Sequence, residues 1–254
     1  MLMVLMCGGA VFAGEPQPRI AKPDQRSGRA FMSADTQREQ DDLSINPGML
    51  WVESGEKLWS QPAGASGKAC AGCHGEPLSM KGVATRYPLF DRRLGRLLNL
   101  EGRIQNCRSE HQSAPVPAYE SEELLSLTAL VANQARGLPM SVTVDGPAQQ
   151  TFEAGRALYY QRQGQLNLSC GQCHEDNWGK QMRSDPLSQG QSNGYPVYRL
   201  EWQTMGSLHR RLKSCFFGVR AEPFAAGSPE FLALELFLAW RAQGLPVETP
   251  AIRR

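Results

Sequence analysis

Apolar and polar positions recur at helical spacing in four stretches of the chain, and these fall into two matching pairs. In the first pair, Glu53-Ser54-Gly55-Glu56-Lys57-Leu58-Trp59 aligns with Glu153-Ala154-Gly155-Arg156-Ala157-Leu158-Tyr159 at an offset of 100 residues, each with an apolar or aromatic side chain three or four positions past its glycine. The second pair reads as amphipathic helices from Ser121 to Ala135 and from Ser228 to Ala242. Ser121 with the acids beside Leu124 suggests a capping box, and Pro229 suits a first helical turn. Gly137 and Gly244 stand where glycines end helices, inside the matching segments Ala135-Arg136-Gly137-Leu138-Pro139 and Ala242-Gln243-Gly244-Leu245-Pro246. The pattern predicts a mainly α protein of two tandem domains related by internal duplication. They span residues 48–141 and 148–250, with Asp145-Gly146-Pro147 as the joint.

Ahead of the repeat the pattern changes. Met1 to Phe12 is an apolar run and Val11-Phe12-Ala13 offers a cleavage site, so residues 1–13 read as an export signal peptide, short and without the usual basic start. A lipidated Cys7 is disfavoured, because Met6 is too large for the residue before such a cysteine. Residues 14–47 form a polar extension in which Pro16, Pro18 and Pro23 oppose early helix. Ser33 or Asp35 would cap a short helix reaching Asp42, and the segment is expected to wrap the surface without carrying chemistry. No later apolar run approaches the length of a membrane span. A net charge of +2 gives no electrostatic basis for binding nucleic acid or a membrane surface.

The cysteines add chemistry to this frame. Cys70-Ala71-Gly72-Cys73-His74 and Cys170-Gly171-Gln172-Cys173-His174 are C-x-x-C-H motifs, again 100 residues apart. Two thiols at this spacing can form thioethers to the two vinyl groups of one porphyrin, while the histidine that follows gives its imidazole to the iron from the same face. A zinc ribbon also uses C-x-x-C pairs, but a histidine directly after the second cysteine, found twice, argues against it. The prediction is two covalently bound haem c groups held by Cys70, Cys73, Cys170 and Cys173, with His74 and His174 as iron ligands. Each domain would then be class I cytochrome c-like, with Trp59 and Tyr159 as core packing. Haem attachment of this type takes place outside the bacterial cytoplasm, which points to the periplasm.

What lies across each iron can be asked of the duplication. An inherited methionine ligand should align between the halves. Met140 instead falls opposite Val247, and Met80, Met182 and Met205 have no counterparts. Cysteines do align: Arg103-Ile104-Gln105-Asn106-Cys107 matches Arg211-Leu212-Lys213-Ser214-Cys215. Thiolate ligation by Cys107 and Cys215 is therefore expected, and it would stabilise ferric iron and lower the potential. A Cys107–Cys215 disulfide is the alternative that an oxidising compartment allows, and a single free reactive thiol is another. Arg210, Arg211, Lys213 and Arg220 crowd Cys215 with no acid before Glu222, whereas Arg103 and Arg108 near Cys107 are offset by Glu101 and Glu110. Such an excess favours a thiolate and attracts a small dianion, although Arg211 could equally meet a haem propionate.

These residues resemble the dihaem SoxA subunit of the SoxAX cytochromes of bacterial thiosulfate oxidation, over nearly the whole mature chain. The likeness rests on the two C-x-x-C-H motifs, on Cys107 and Cys215, and on Arg-x-x-x-Cys before Phe216-Phe217-Gly218. It implies an L-cysteine S-thiosulfotransferase that joins thiosulfate oxidatively to a carrier-protein cysteine, with electrons leaving through haem. It further implies that Cys215 is catalytic, able to carry extra sulfur while bound to iron, and that Arg211 contacts the substrate anion. The implied partners are the monohaem cytochrome SoxX, in a heterodimer, and the SoxYZ carrier. Competing expectations are a tetrathionate-forming thiosulfate dehydrogenase, a non-enzymatic dihaem electron carrier with a methionine ligand, and a dihaem peroxidase with one five-coordinate iron.

Overall fold

A computed structural model describes residues 19–182 and 184–254. The export signal expected over residues 1–13 lies outside the described residues. Two halves follow one plan. The first half carries α2 (Met49–Ser60), after the short α1 (Ala34–Asp41) of the extension, then the single-turn α3 (Cys70–His74), strands β1 (Leu89–Asp91) and β2 (Arg96–Leu98), α4 (Leu100–Gln112) and α5 (Glu122–Asn133). The second carries α6 (Gln149–Tyr160), α7 (Cys170–His174), β3 (Gln181–Met182), β4 (Asp185–Pro186), β5 (Val197–Arg199), β6 (Thr204–Gly206), α8 (Leu208–Gly218), α9 (Pro229–Arg241) and a last strand, β7 (Ala251–Arg253).

In each half the helix before the C-x-x-C-H motif crosses the long helix near the end of the half. The crossing is close because a glycine sits at it. A Cβ on Gly55 would stand 2.4 Å from the Ser126 carbonyl oxygen, and one on Gly155 1.9 Å from that of Ala233. The aromatics one turn later, Trp59 and Tyr159, are buried in the two cores, as their spacing suggested. Nine consecutive residues of α5, Leu124 to Ala132, are buried, so this helix is central rather than amphipathic on a surface. Aromatic contacts among Phe152, Tyr159, Phe237 and Trp240 tie α6 to α9.

The helix ends differ from expectation in detail. Ser121 accepts from the Leu124 amide, but the third helical residue is Leu124 itself, so no reciprocal box closes. Helices α5 and α9 stop at Asn133 and Arg241, before the glycines at 137 and 244. Those glycines have φ of +81° and +89° and serve another purpose. The two matching segments lie against each other: Gly137 N donates to Val247 O and Gly244 N to Met140 O, each at 2.9 Å. The repeated sequence thus builds the seam between the halves, and Met140 is buried there with Val247.

The offset between halves grows from 100 residues at the C-x-x-C-H motifs to 108 at the strands, so the second half has eight extra residues after its histidine. Strand β7 adds in parallel to β5 and makes a three-stranded β6-β5-β7 sheet, whereas β1 and β2 form only a pair. The N-terminal extension does more than wrap the surface. Ser33 caps α1, and the buried Gln40 accepts from the Ile252 amide at 3.0 Å. Asn46 is buried as well and donates to the Pro250 carbonyl at 2.9 Å. The extension therefore clamps the last strand of the second half.

Candidate functional site

Both C-x-x-C-H motifs form one turn of helix, which places their two thiols and imidazole on a common side. Only the second turn is tightly held. Ser169 and Gln172 make a reciprocal capping box at α7, while Ala69 gives α3 no side-chain cap. His174 Nδ1 lies 2.8 Å from the Ser188 carbonyl oxygen. A carbonyl can only accept, so Nδ1 carries the proton and the Nε2 lone pair is left to meet a metal. Gly190 packs on the same ring: φ is +66°, and a Cβ would come within 2.9 Å of His174 Cγ. Gln189 between them is fixed from two sides. Its carbonyl receives the Arg241 guanidinium at 3.1 and 3.2 Å, and its side-chain amide bonds Arg26 N at 2.7 Å and Asp24 O at 2.8 Å. Arg241 in turn is 3.1 Å from Glu175, which also accepts from the Tyr160 hydroxyl at 3.0 Å. Around His74 the arrangement is simpler. Trp59 Nε1 donates to the Gly75 carbonyl at 2.8 Å, and the Trp59 and His74 rings are 5.7 Å apart.

Cys107 lies on α4 and Cys215 on α8, helices capped by Asn99 and Ser207 at equivalent positions. Each faces the motif of its own half. Cys215 is near enough to His174, Cys170 and Cys173 for charge on one to act on the other, and Cys107 is likewise near Cys70 and Cys73. All six described cysteines are free, so the alternative of a Cys107–Cys215 disulfide is not adopted. Among the described residues no group of three His, Cys, Asp or Glu side chains gathers as a zinc site would need. An imidazole with its outer nitrogen pinned, a thiol near it and two cysteines in the same helical turn make the donor set that a covalently attached haem would need.

The two thiols sit in different fields. Near Cys107, Arg103 forms an ion pair with Asp91 and reaches the Tyr87 hydroxyl at 3.2 Å, and Arg108 pairs with Glu123. These partners are not Glu101 and Glu110, the acids nearest in sequence. Burial pushes the Cys107 thiol up, with Arg103 opposing. At the second site the strand position of Asp91 belongs to Arg199. The registers agree: Asp91 faces Arg96 across β1–β2, and Arg199 faces Thr204 across β5–β6. Among the described residues Arg211 makes no ion pair within 4.0 Å, and its own strongest upward influence is Cys215. Burial raises the Cys215 thiol, but Arg211, His174 and Arg199 more than reverse that and bring it down to about 7.

The cations crowded around Cys215 in the sequence are thus partly dispersed. Arg210 turns onto the Trp202 ring, 4.2 Å from its centroid, and the arginines that act most on the thiol are Arg211 and Arg199. Arg199 was missed because it reaches the site from another strand. Only the alignment of Asp91 with Arg199 could have shown it, and that requires finding the eight-residue insertion first. His209, also near Cys215 in sequence, points away into the seam between the halves. There its Nε2 lies 2.9 Å from Glu235, its ring stacks on Tyr119 at 5.5 Å, and Glu101 is buried close by. Burial and Glu235 push the Glu101 carboxyl up to about 8. A cavity of about 50 Å³ lined by Glu101, Glu235, Tyr87 and Tyr195 lies at this seam.

A sequence profile of the family described as SoxA/TsdA, cytochrome c domain, matches residues 54–140 and again 154–247. The L-cysteine S-thiosulfotransferase subunit SoxA of Rhodovulum sulfidophilum is 45% identical over 90% of this chain and 80% of its own length. The protein of the same name from Pseudaminobacter salicylatoxidans is 44% identical over 90% of this chain and 80% of its own length. Among solved structures, the crystal structure of SoxXA from P. pantotrophus superposes with a TM-score of 0.87 at 39% identity, covering 90% of this chain and 86% of that one.

Proposed function

Because the chain belongs to the SoxA/TsdA cytochrome c family, we propose that it works as its relatives are named, as the SoxA subunit of an L-cysteine S-thiosulfotransferase. The protein is a cytochrome c with covalently bound haem, and its fold is mainly α with two tandem cytochrome c-like halves. Cys70, Cys73, His74 and Cys107 would hold one haem, and Cys170, Cys173, His174 and Cys215 a second. Bound there, haem supplies a one-electron acceptor whose potential thiolate ligation holds low.

The reaction belongs to the second site. The observation that carries this is the contrast in charge: Arg103 is paired with Asp91, while the equivalent strand position beside Arg211 bears Arg199. Two guanidinium groups favour the thiolate of Cys215 and draw in thiosulfate, a dianion that would repel an unassisted thiolate. Cys215 sulfur and the terminal sulfur of thiosulfate form a bond, giving Cys215–S–S–SO3⁻, and two electrons leave in single steps. The carrier's cysteine thiolate then attacks the sulfur next to the sulfonate-bearing end, and the Cys215 thiolate departs. The balance is one carrier thiol and one thiosulfate dianion in, and one carrier thiosulfonate, one proton and two electrons out. The oxidant would be a monohaem cytochrome of the SoxX kind, which takes the electrons one at a time, and the carrier is of the SoxYZ kind. Export to the periplasm fits both the haem chemistry and these partners.

Peptide mass spectrometry of the holoprotein with its cytochrome partner tests the reading. After incubation with thiosulfate and an electron acceptor, without carrier, the Cys215 peptide should gain one thiosulfate, removable by reductant. Turnover with the adduct on Cys107, or with Cys215 unmodified throughout, would refute it.

A further inference from the structure

The place of Arg199 in the fold argues for a role of its own. Its strand, β5, is fixed on both sides, by β6 and by the C-terminal β7, whose Arg253 faces it in register. The guanidinium lies 5.1 Å from the Trp202 ring centroid, and Arg210 covers the same ring at 4.2 Å. Arg199 is only 7% exposed. Its Nη2 meets the half-exposed Glu201 at 3.0 Å, but its Nε is buried with no hydrogen-bond partner. A buried charged donor left unpaired is costly, and Arg199 stands at the strand position from which, in the first half, Asp91 meets the arginine four residues before the cysteine. Arg211 makes no ion pair within 4.0 Å among the described residues, with Glu201 and Asp185 acting on it from further off, so the two guanidinium groups have one ion pair between them, that of Arg199 with Glu201.

We propose that Arg199 is a second anion-binding residue of the Cys215 site, holding with Arg211 the sulfonate end of a dianionic sulfur substrate. This rests on the second site being the thiosulfate site. It also fits the placing of the reaction at the second site, because in the first the same strand position bears Asp91, which already pairs with Arg103. The site then selects dianions over monoanions of similar size, because two cations remain to be matched.

An oxyanion could also come from a carboxylate of the haem, and the test separates the sources. In the holoprotein with its cytochrome partner, thiosulfate KM and kcat, inhibition by sulfate as an unreactive dianion, and the second haem's midpoint potential are measured for R199L, R199K and E201Q. R199L should raise KM about 10- to 30-fold and weaken sulfate inhibition by a similar factor, with kcat little changed, as expected for one lost charge-assisted contact. R199K should recover most of the loss, and E201Q should lower KM. A shifted potential with KM and sulfate inhibition unchanged would assign Arg199 to the haem and overturn the proposal. So would unchanged values throughout, or an R199L protein whose defect R199K shares in full. If C215A retains thiosulfate turnover, the reading of the site itself fails; if C215A is dead while R199L keeps normal KM, only the role of Arg199 fails.

Discussion

Asp91 and Arg199 hold the same place in the two halves of the molecule, at the end of the strand facing the cysteine helix, and they carry opposite charge. Around them the halves agree to the level of single glycines at helix crossings and matching caps on α4 and α8. The second difference is the eight-residue insertion, which brings Ser188, Gln189 and Gly190 behind His174. One change sets the charge beside the cysteine helix, the other fixes the His174 imidazole from behind. On the function proposed above, a duplicated scaffold would hold one reactive and one quiet thiol–imidazole pair without altering either pair.

Exchanging the arginine contributions should break this comparison most visibly. R211L is expected to lower kcat/KM for thiosulfate by roughly 10²- to 10³-fold, the loss typical of a preorganised group acting on developing or bound negative charge. R103L should stay within about threefold of the native rate, because Arg103 is already spent on Asp91. Comparable losses in both variants would remove the contrast between the sites.

The shared scaffold is tested by G55A and G155A. Each Cβ would meet a backbone carbonyl oxygen, at 2.4 and 1.9 Å, so each should cost about 3 kcal/mol in denaturant unfolding of the holoprotein. A tolerated change in only one half would mean that the helix crossings are not equivalent. The loop behind His174 gives a smaller effect. Q189A removes the bonds to Asp24 and Arg26, and on the two-haem assignment proposed above the low-spin signal of the haem assigned to His174 should then become about 1 kcal/mol less stable to heating, with that of the haem assigned to His74 unchanged. Equal loss at both haems would show that the loop has no specific hold on His174.

The smallest effect concerns pH at the seam. Glu101 is held above its unfolded value, at about 8, so the native state binds more protons than the unfolded state between roughly pH 4.5 and 8. Stability from this group falls as pH rises through that window. His209, also raised, acts in the same sense: its contribution is present below pH ~6.5 and lost above its folded value. E101Q should flatten the decline of the melting temperature between pH 5 and 8, a change on the order of 1–2 kcal/mol, which pH-dependent calorimetry would detect. An unaltered slope would take Glu101 out of the account.

Much of this was readable in the chain. The attachment motifs, the glycine crossings and the pairing of Cys107 with Cys215 follow from the repeat, because covalent attachment and close helix contacts demand fixed residue types at fixed spacing. The seam was not readable, since the Gly137 and Gly244 segments look like helix ends until their mutual hydrogen bonds are seen. Nor was the field around Cys215. Charge adjacent in sequence was a poor guide, because Arg210 and Glu101 sit on helix faces turned from the thiols, while Asp91 and Arg199 arrive from strands twelve or more residues away. The extension gave no chemical signal because its contribution is backbone and amide bonds to the His174 loop and to β7.

The most direct test of the central claim compares C215A with C107A, each purified with both haems attached and with its cytochrome partner, in carrier-dependent thiosulfate oxidation followed by reduction of the partner haem. The account predicts that C215A abolishes thiosulfate-driven reduction while C107A retains most of the native rate. Full activity in C215A, or equal loss in both, would contradict it.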